Sequence, residues 1–124
     1  MEIDLSKVLA YSKISVSAFS CCSSLININL PKYVKRISSY AFELCFGLTK
    51  IVLNEGLSEI CSGAFVGCNS LISLTIPSSV NKIADNLFVR NGYKSNKTTT
   101  IYAYPGSPAI EFARKNNLPL KKAI

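Results

Sequence analysis

An Ala-Phe dipeptide stands at Ala18-Phe19, Ala41-Phe42 and Ala64-Phe65, with a degenerate copy at Leu87-Phe88, and each step is 23 residues. A fixed stride of that size restricts the chain to stacked coils. Each unit is one small supersecondary piece, and none can bury its apolar face without a neighbour.

The other apolar columns keep the same stride. Cys22, Cys45 and Cys68 follow each Phe, with Asn91 in the fourth copy, and Leu25, Leu48 and Leu71 come next. Then come Ile28, Ile51 and Leu74, and Leu30, Leu53 and Ile76. Val34, Leu57 and Val80 precede Ile37, Ile60 and Ile83, with Ile14 one period upstream.

Side-chain direction turns these columns into a coil. In Ile-x-Leu the apolar residues alternate with polar ones, so both point to one side of a short strand. Pro31 and Pro77 close that strand, because proline donates no hydrogen bond to a ladder. The later columns are spaced by three or four residues, which predicts turns or single helical turns on the return arm and no second long strand. Stacking then pairs the strands in parallel, about 4.8 Å apart. The Phe fills the coil interior, and the small Ala before it lets the next turn approach. Leu87 in place of Ala predicts an irregular fourth turn.

Leu25, Ile28, Leu30, Pro31, Val34, Ile37, Ala41, Phe42 and Cys45, repeated one period on, resemble the BspA-like, or Treponema-type, leucine-rich repeat. The resemblance covers residues 11 to 91. The tail from Ser107 to Asn117 is similar to the closing segment of such proteins. Asn54 departs from the pattern, which usually has Pro there, and extra residues follow Phe88. The resemblance implies an α/β solenoid with one parallel strand per turn, short helical or irregular return arms, and a capping strand and helix. It also implies a non-catalytic interaction or surface-adhesion module, at the cell surface or secreted. Relatives of this kind are long exported proteins, so the chain reads either as a small independent member or, the expected case, as a piece or C-terminal remnant of a longer one.

The expected organisation is a single repeat domain over 1–124. It comprises a partial first turn (1–13, with Ile3 and Leu5 as strand candidates), regular repeats (14–91), a polar insertion (92–98) and a C-terminal cap (99–124). Asn91-Gly92 is a turn signal. In the cap, Thr99 to Tyr104 read as a strand with Ile101 and Ala103 inward. Ser107 is an N-cap with Pro108 at the first helical position. Ala109, Phe112 and Ala113 share one helix face, and Asn116-Asn117 stop the helix.

The start, Met-Glu-Ile-Asp-Leu, is acidic and lacks the basic and apolar runs of a secretory leader. No apolar run of about 18 residues offers a membrane span. The chain has five cysteines and no histidine. Cys22, Cys45 and Cys68 read as a ladder of buried thiols. A disulfide among Cys21, Cys22 and Cys61 stays open on sequence grounds. Parallel thiols do not converge on a metal, so neither a metal nor another cofactor is expected. Without histidine the usual general base of a nucleophilic triad is missing, no glycine-rich phosphate loop occurs, and no enzyme is expected. Glu43, Glu55 and Glu59 read as solvated or paired charges.

Two surfaces remain as binding candidates. The outward strand positions are Asn27, Asn29, Lys50, Val52, Ser73, Thr75, Thr100 and Tyr102, a polar face suited to a protein or glycan ligand. The second is charge. The net charge is +7, and Arg90, Lys94, Lys97, Arg114, Lys115, Lys121 and Lys122 make up half of the 14 basic residues. They would bind a polyanion weakly. No aromatic-interleaved basic strand accompanies them, so nucleic acid is not the expected partner. The alternatives to ligand binding are a structural spacer or a terminal cap of a longer repeat protein. An open N-terminal sheet edge would favour a homodimer. Asn96-Lys97-Thr98 is a glycosylation sequon only in a eukaryotic secretory setting.

Overall fold

The computed structural model describes residues 2–4, 12–90, 93–94 and 98–123. In chain order the elements are β1 (Glu2–Asp4), β2 (Lys13–Ile14), β3 (Asn27–Asn29), β4 (Arg36–Ile37), β5 (Lys50–Val52), β6 (Glu59–Ile60) and β7 (Ser73–Ile76). They continue with β8 (Lys82–Ile83), β9 (Val89–Arg90), β10 (Tyr93–Lys94), β11 (Thr100–Ala103), α1 (Pro108–Lys115) and β12 (Leu120–Lys122). Apart from the antiparallel pair β9 and β10, they form a solenoid of parallel strands.

Apolar alternation sets the register. Ile28 pairs with Ile51, and Asn27 and Asn29 pair with Lys50 and Val52. On the far side Ile101 pairs with Leu74, and Thr100 and Tyr102 pair with Ser73 and Thr75. Ile3 pairs with Ile28, so the first strand is Glu2–Asp4; Leu5 lies outside the described residues. These end pairings are longer in sequence than the 23-residue stride, so extra residues are taken up at both ends while the middle coils stay regular. The strand face divides into two three-stranded halves, β1-β3-β5 and β7-β11-β12. β5 and β7 lie against each other without forming a ladder.

The return arm is more ordered than its spacing predicts. Each arm carries a two-residue strand, and these stack as a second parallel sheet, β2-β4-β6-β8, with Ile14, Ile37, Ile60 and Ile83 in register. A pair of residues suffices because only one side chain per coil must face inward there. The rest of the arm is turns, not helix. The Phe42 and Leu44 N–H groups donate to Ala64 and Val66 oxygens of the next coil, at 2.9 and 2.7 Å. Between them, Ala41 and Glu43 donate back to Ser38 and Tyr40, at 3.3 and 3.1 Å. Alternate amides thus bind the neighbouring coil and close local turns, which a continuous helix would not allow.

That alternation requires left-handed backbone at two positions per coil. They are Ser17 and Cys21, then Tyr40 and Leu44, then Gly63 and Gly67, all at positive φ and all on the stride. In the third coil glycine removes the strain, and it does a second job. A Cβ on Gly63 would run into the Tyr40 ring, and one on Gly67 would come within 2.6 Å of a Leu44 methyl. The two large side chains of one coil therefore lie over the bare backbone of the next.

The columns named from the sequence form one core. Leu25, Phe42, Leu48, Phe65, Leu74 and Val80 are all buried within it. Phe19, Phe42 and Phe65 stack face to face, with centroids 5.3 and 5.6 Å apart. Asn54 fills the column of Pro31 and Pro77 by another means. Its buried amide donates to the Val34 oxygen at 2.8 Å and the Lys32 oxygen at 3.1 Å, tying down the turn of the preceding coil.

Beyond β8 the chain closes. β9 and β10 pair antiparallel, Arg90 with Tyr93, on either side of the Asn91-Gly92 turn signal, which lies outside the described residues. Leu87 is fully buried where the other coils have Ala. Helix α1 packs its buried Ala109, Phe112 and Ala113 on the end of the coil. Phe112 meets Phe88 with centroids 6.2 Å apart and so extends the phenylalanine column. Ser107 holds the N-cap backbone position, but its side chain makes no capping bond, contrary to the sequence expectation. The Ile110 N–H, the usual target of an N-cap side chain, instead donates to the Ser107 carbonyl at 3.2 Å. At the other end Asn117 is left-handed, Leu118 N–H bonds Ala113 O and Asn117 N–H bonds Arg114 O. This is the Schellman arrangement with Asn in the usual glycine place. β12 then lies parallel to β11 as the last strand of its sheet.

Candidate ligand-binding face

The eight outward strand residues come together on the strand face in two rows. Asn27 and Lys50 begin one row, which Ser73 and Thr100 continue; Asn29 and Val52 begin the other, which Thr75 and Tyr102 continue. The rows run across the join between β5 and β7. Asn29, Lys50, Val52, Ser73 and Thr75 are exposed, while Asn27, Thr100 and Tyr102 are half-buried. Tyr102 pairs with Lys121 of β12. The structure thus adds to the face a lysine that the sequence had placed in the basic tail, because strand β12 could not be inferred from its Leu-Lys-Lys composition.

An apolar margin was also missed. Ile26 and Ile72 stand one residue before their strands, on the stride with Thr49 between them, and are 43 % and 71 % exposed. Thr49 and Lys50 amides bond the Ile26 oxygen, and the Thr100 amide bonds the Ile72 oxygen, so these residues line the entry to the strands. Phe46, on the preceding turn, is half exposed. The signal is present as a 26–49–72 column, which belongs neither to the inward columns nor to the outward strand positions.

The basic residues are divided among separate places. Arg114, Lys121 and Lys122 border a groove of about 390 Å³ at the C-terminal end of the coil. Lys115, on another side of α1, lies 3.0 Å from Asp85. It borders a wider groove of about 640 Å³ between α1 and the second sheet, where Arg36 and Lys82 face Glu59 and Asp85. There Arg36 Nε lies 3.9 Å from Glu59 Oε1, the pairing expected for that acid. Both partners are partly exposed, so the pair is worth at most ~1 kcal/mol. Arg90 and Lys94 belong to the hairpin, and Lys97 and Asn96 lie outside the described residues.

All five cysteines are free thiols. Cys45 and Cys68 are buried, and their thiols donate to Phe19 and Phe42 carbonyl oxygens at 3.1 and 3.0 Å. The bond with the Cys45 thiol, and then burial, push the Cys68 thiol far above the usual cysteine range. Burial also raises Cys61, against the lowering effect of Arg36. Cys68 and Cys61 are thus held protonated as packing groups, while the hydrogen bond with Cys68 lowers the Cys45 thiol. Cys21 is exposed, and a Cys21–Cys61 bridge is not formed. Among the described residues, no three of Cys, Asp and Glu gather where a metal could sit. No helix among them is long and apolar enough to cross a membrane.

Set beside known proteins, the coil has a clear counterpart. The family model of the BspA type leucine rich repeat region matches residues 2–104 in six copies. The chain belongs to the BspA-type leucine-rich repeat family. Its fold is similar to a leucine rich cell surface protein of Faecalibacterium prausnitzii, with TM-score 0.73 and 22 % identity over 98 % of this chain and 32 % of that one. It is also similar to the T. pallidum leucine rich repeat protein, with TM-score 0.59 and 24 % identity over 82 % and 57 %. A Bacteroides ovatus leucine-rich repeat protein gives TM-score 0.56 and 22 % identity over 85 % and 34 %. The chain therefore spans between a third and somewhat over half of these proteins' lengths. No curated protein matches it. Leucine-rich repeats are generally protein-interaction modules, and the fold of this BspA-type chain is typically non-enzymatic.

Proposed function

We propose that this BspA-type chain is a non-catalytic interaction module that binds a protein ligand through the outward face of its main strands. The observation that carries the reading is the alignment of Asn27, Lys50, Ser73 and Thr100 beside Asn29, Val52, Thr75 and Tyr102 across neighbouring strands. Short polar side chains around one lysine and one tyrosine offer hydrogen bonds and a stacking surface without a large desolvation cost. The exposed Ile26, Phe46 and Ile72 beside the strands favour a protein over a glycan, because a protein partner can bury apolar side chains at the margin of a polar face. The neighbour described as a cell surface protein supports placing this activity at a cell surface.

The test compares captured proteins for the wild type and a Lys50→Glu, Tyr102→Ala double variant. Both residues project from the face, so the melting temperature should stay within a few degrees. Proteins retained by the wild type should bind the variant at least about tenfold more weakly, equivalent to ~1.4 kcal/mol. Retention of the same proteins with unchanged affinity would sink the assignment of this face.

A further inference from the structure

The groove at the C-terminal end brings three features together. Its floor is apolar, formed by Pro105, Ile110 and Leu120. Its rim is cationic, formed by Arg114, Lys121 and Lys122, and among the described residues no acidic side chain lines it. Glu111, the acid of α1, lines the other groove together with Lys115. The helix thus turns one side of mixed charge toward Asp85 and another, carrying Ile110 and Arg114 one turn apart, toward β12.

The third feature is a strand edge. β12 is the last strand of its sheet. The Ile101 N–H bonds Pro119 O at 2.7 Å, and the Ala123 N–H bonds Ala103 O at 2.9 Å. In a parallel ladder alternate residues face alternate neighbours, so Pro119, Lys121 and Ala123 turn their backbone toward β11. Leu120 and Lys122 turn theirs to the edge that no strand among the described residues covers, which invites an added strand. Lys122, in register with Ala103, occupies a core column yet is exposed. An inward lysine at an edge repels apolar and basic strands. It leaves one kind of strand favoured.

We propose that this edge is a docking site for an extended acidic peptide segment reading apolar–acid–acid, added to β12 as a further strand. The apolar residue would sit beside Leu120 over the floor, and the two acids beside Lys121 and Lys122, with Arg114 as a third cation. Backbone pairing supplies affinity, and the lysines supply the choice of sequence. Lys121 borders the Lys50–Tyr102 face beside Tyr102, but the pairing edge, Leu120 and Lys122 are not among that face's residues, so peptide binding and capture by the face can fail separately.

The test uses the full chain and a fluorescent octapeptide with Ile-Glu-Glu at its centre, followed by anisotropy. Saturable binding is expected. A Lys121→Glu, Lys122→Glu variant should weaken it by about tenfold or more and bind an Ile-Lys-Lys peptide instead, with the fold checked by its thermal melt. N-methylation of alternate peptide amides on the pairing side should abolish binding, while methylation of the opposite amides should not. Lack of binding up to about 1 mM peptide overturns the proposal. So does binding indifferent to N-methylation, which would mean charge attraction alone. Retention on vesicles of anionic lipid with no peptide binding likewise overturns it in favour of a membrane anion.

Discussion

Phe42 lies nearly flat between Phe19 and Phe65, with ring planes within 6°. Phe88, by contrast, meets Phe65 at 39° and Phe112 at 49°. The first three rings come from coils of one length and one backbone path, so each repeats the rotamer of its neighbour. Phe112 reaches the same column from a helix, whose side chains lean toward its N-terminus. A tilted contact is the one it can make, and tilted pairs retain favourable ring electrostatics. The middle of the molecule therefore gains order by copying itself. The end needs new sequence, supplied by Leu87, α1 and β12, because α1 takes the place that a further regular coil would hold.

The largest expected effect tests that difference directly. Phe42→Ala removes a fully buried ring stacked on both sides and should cost ~3–5 kcal/mol, read by urea unfolding. Phe112→Ala should cost less by about 1 kcal/mol, having one tilted ring partner in place of two stacked ones. Equal losses would show that the regular stack carries no extra stability. Next comes Gly63→Ala, which combines left-handed strain with a collision against Tyr40 and should cost roughly 1–3 kcal/mol. Adding Tyr40→Ala should relieve the collision; if the double variant is no better than the sum of the singles, the two residues are not coupled. The smallest effect belongs to the closing end. Asn117→Ala should lose ~1 kcal/mol and Asn117→Gly should stay within about 0.5 kcal/mol of the wild type, checked by thermal melts. A neutral Asn117→Ala would mean that the helix end is not held by its left-handed residue.

The stride by itself determined the coil, the register of its middle strands and the inward place of Cys45, Cys68 and the phenylalanines. It could do so because stacking forces equivalent residues into equivalent positions, so a column of apolar residues in sequence is a column in space. The eight outward residues followed from the same alternation. What the stride could not encode is whatever depends on contacts between unlike segments. Two-residue strands are too short to leave a period, so the second sheet escaped notice. The pairing of Tyr40 with Gly63 joins residues of different coils whose positive φ only the folded backbone reveals. β12 was invisible because Leu-Lys-Lys has no strand pattern, and its place comes from the turn at Asn117 that swings the chain back onto β11. The charges at the end of the chain were read as one patch because they are neighbours in sequence. The helix, by turning Glu111 and Lys115 one way and Arg114 another, decided which of them meet.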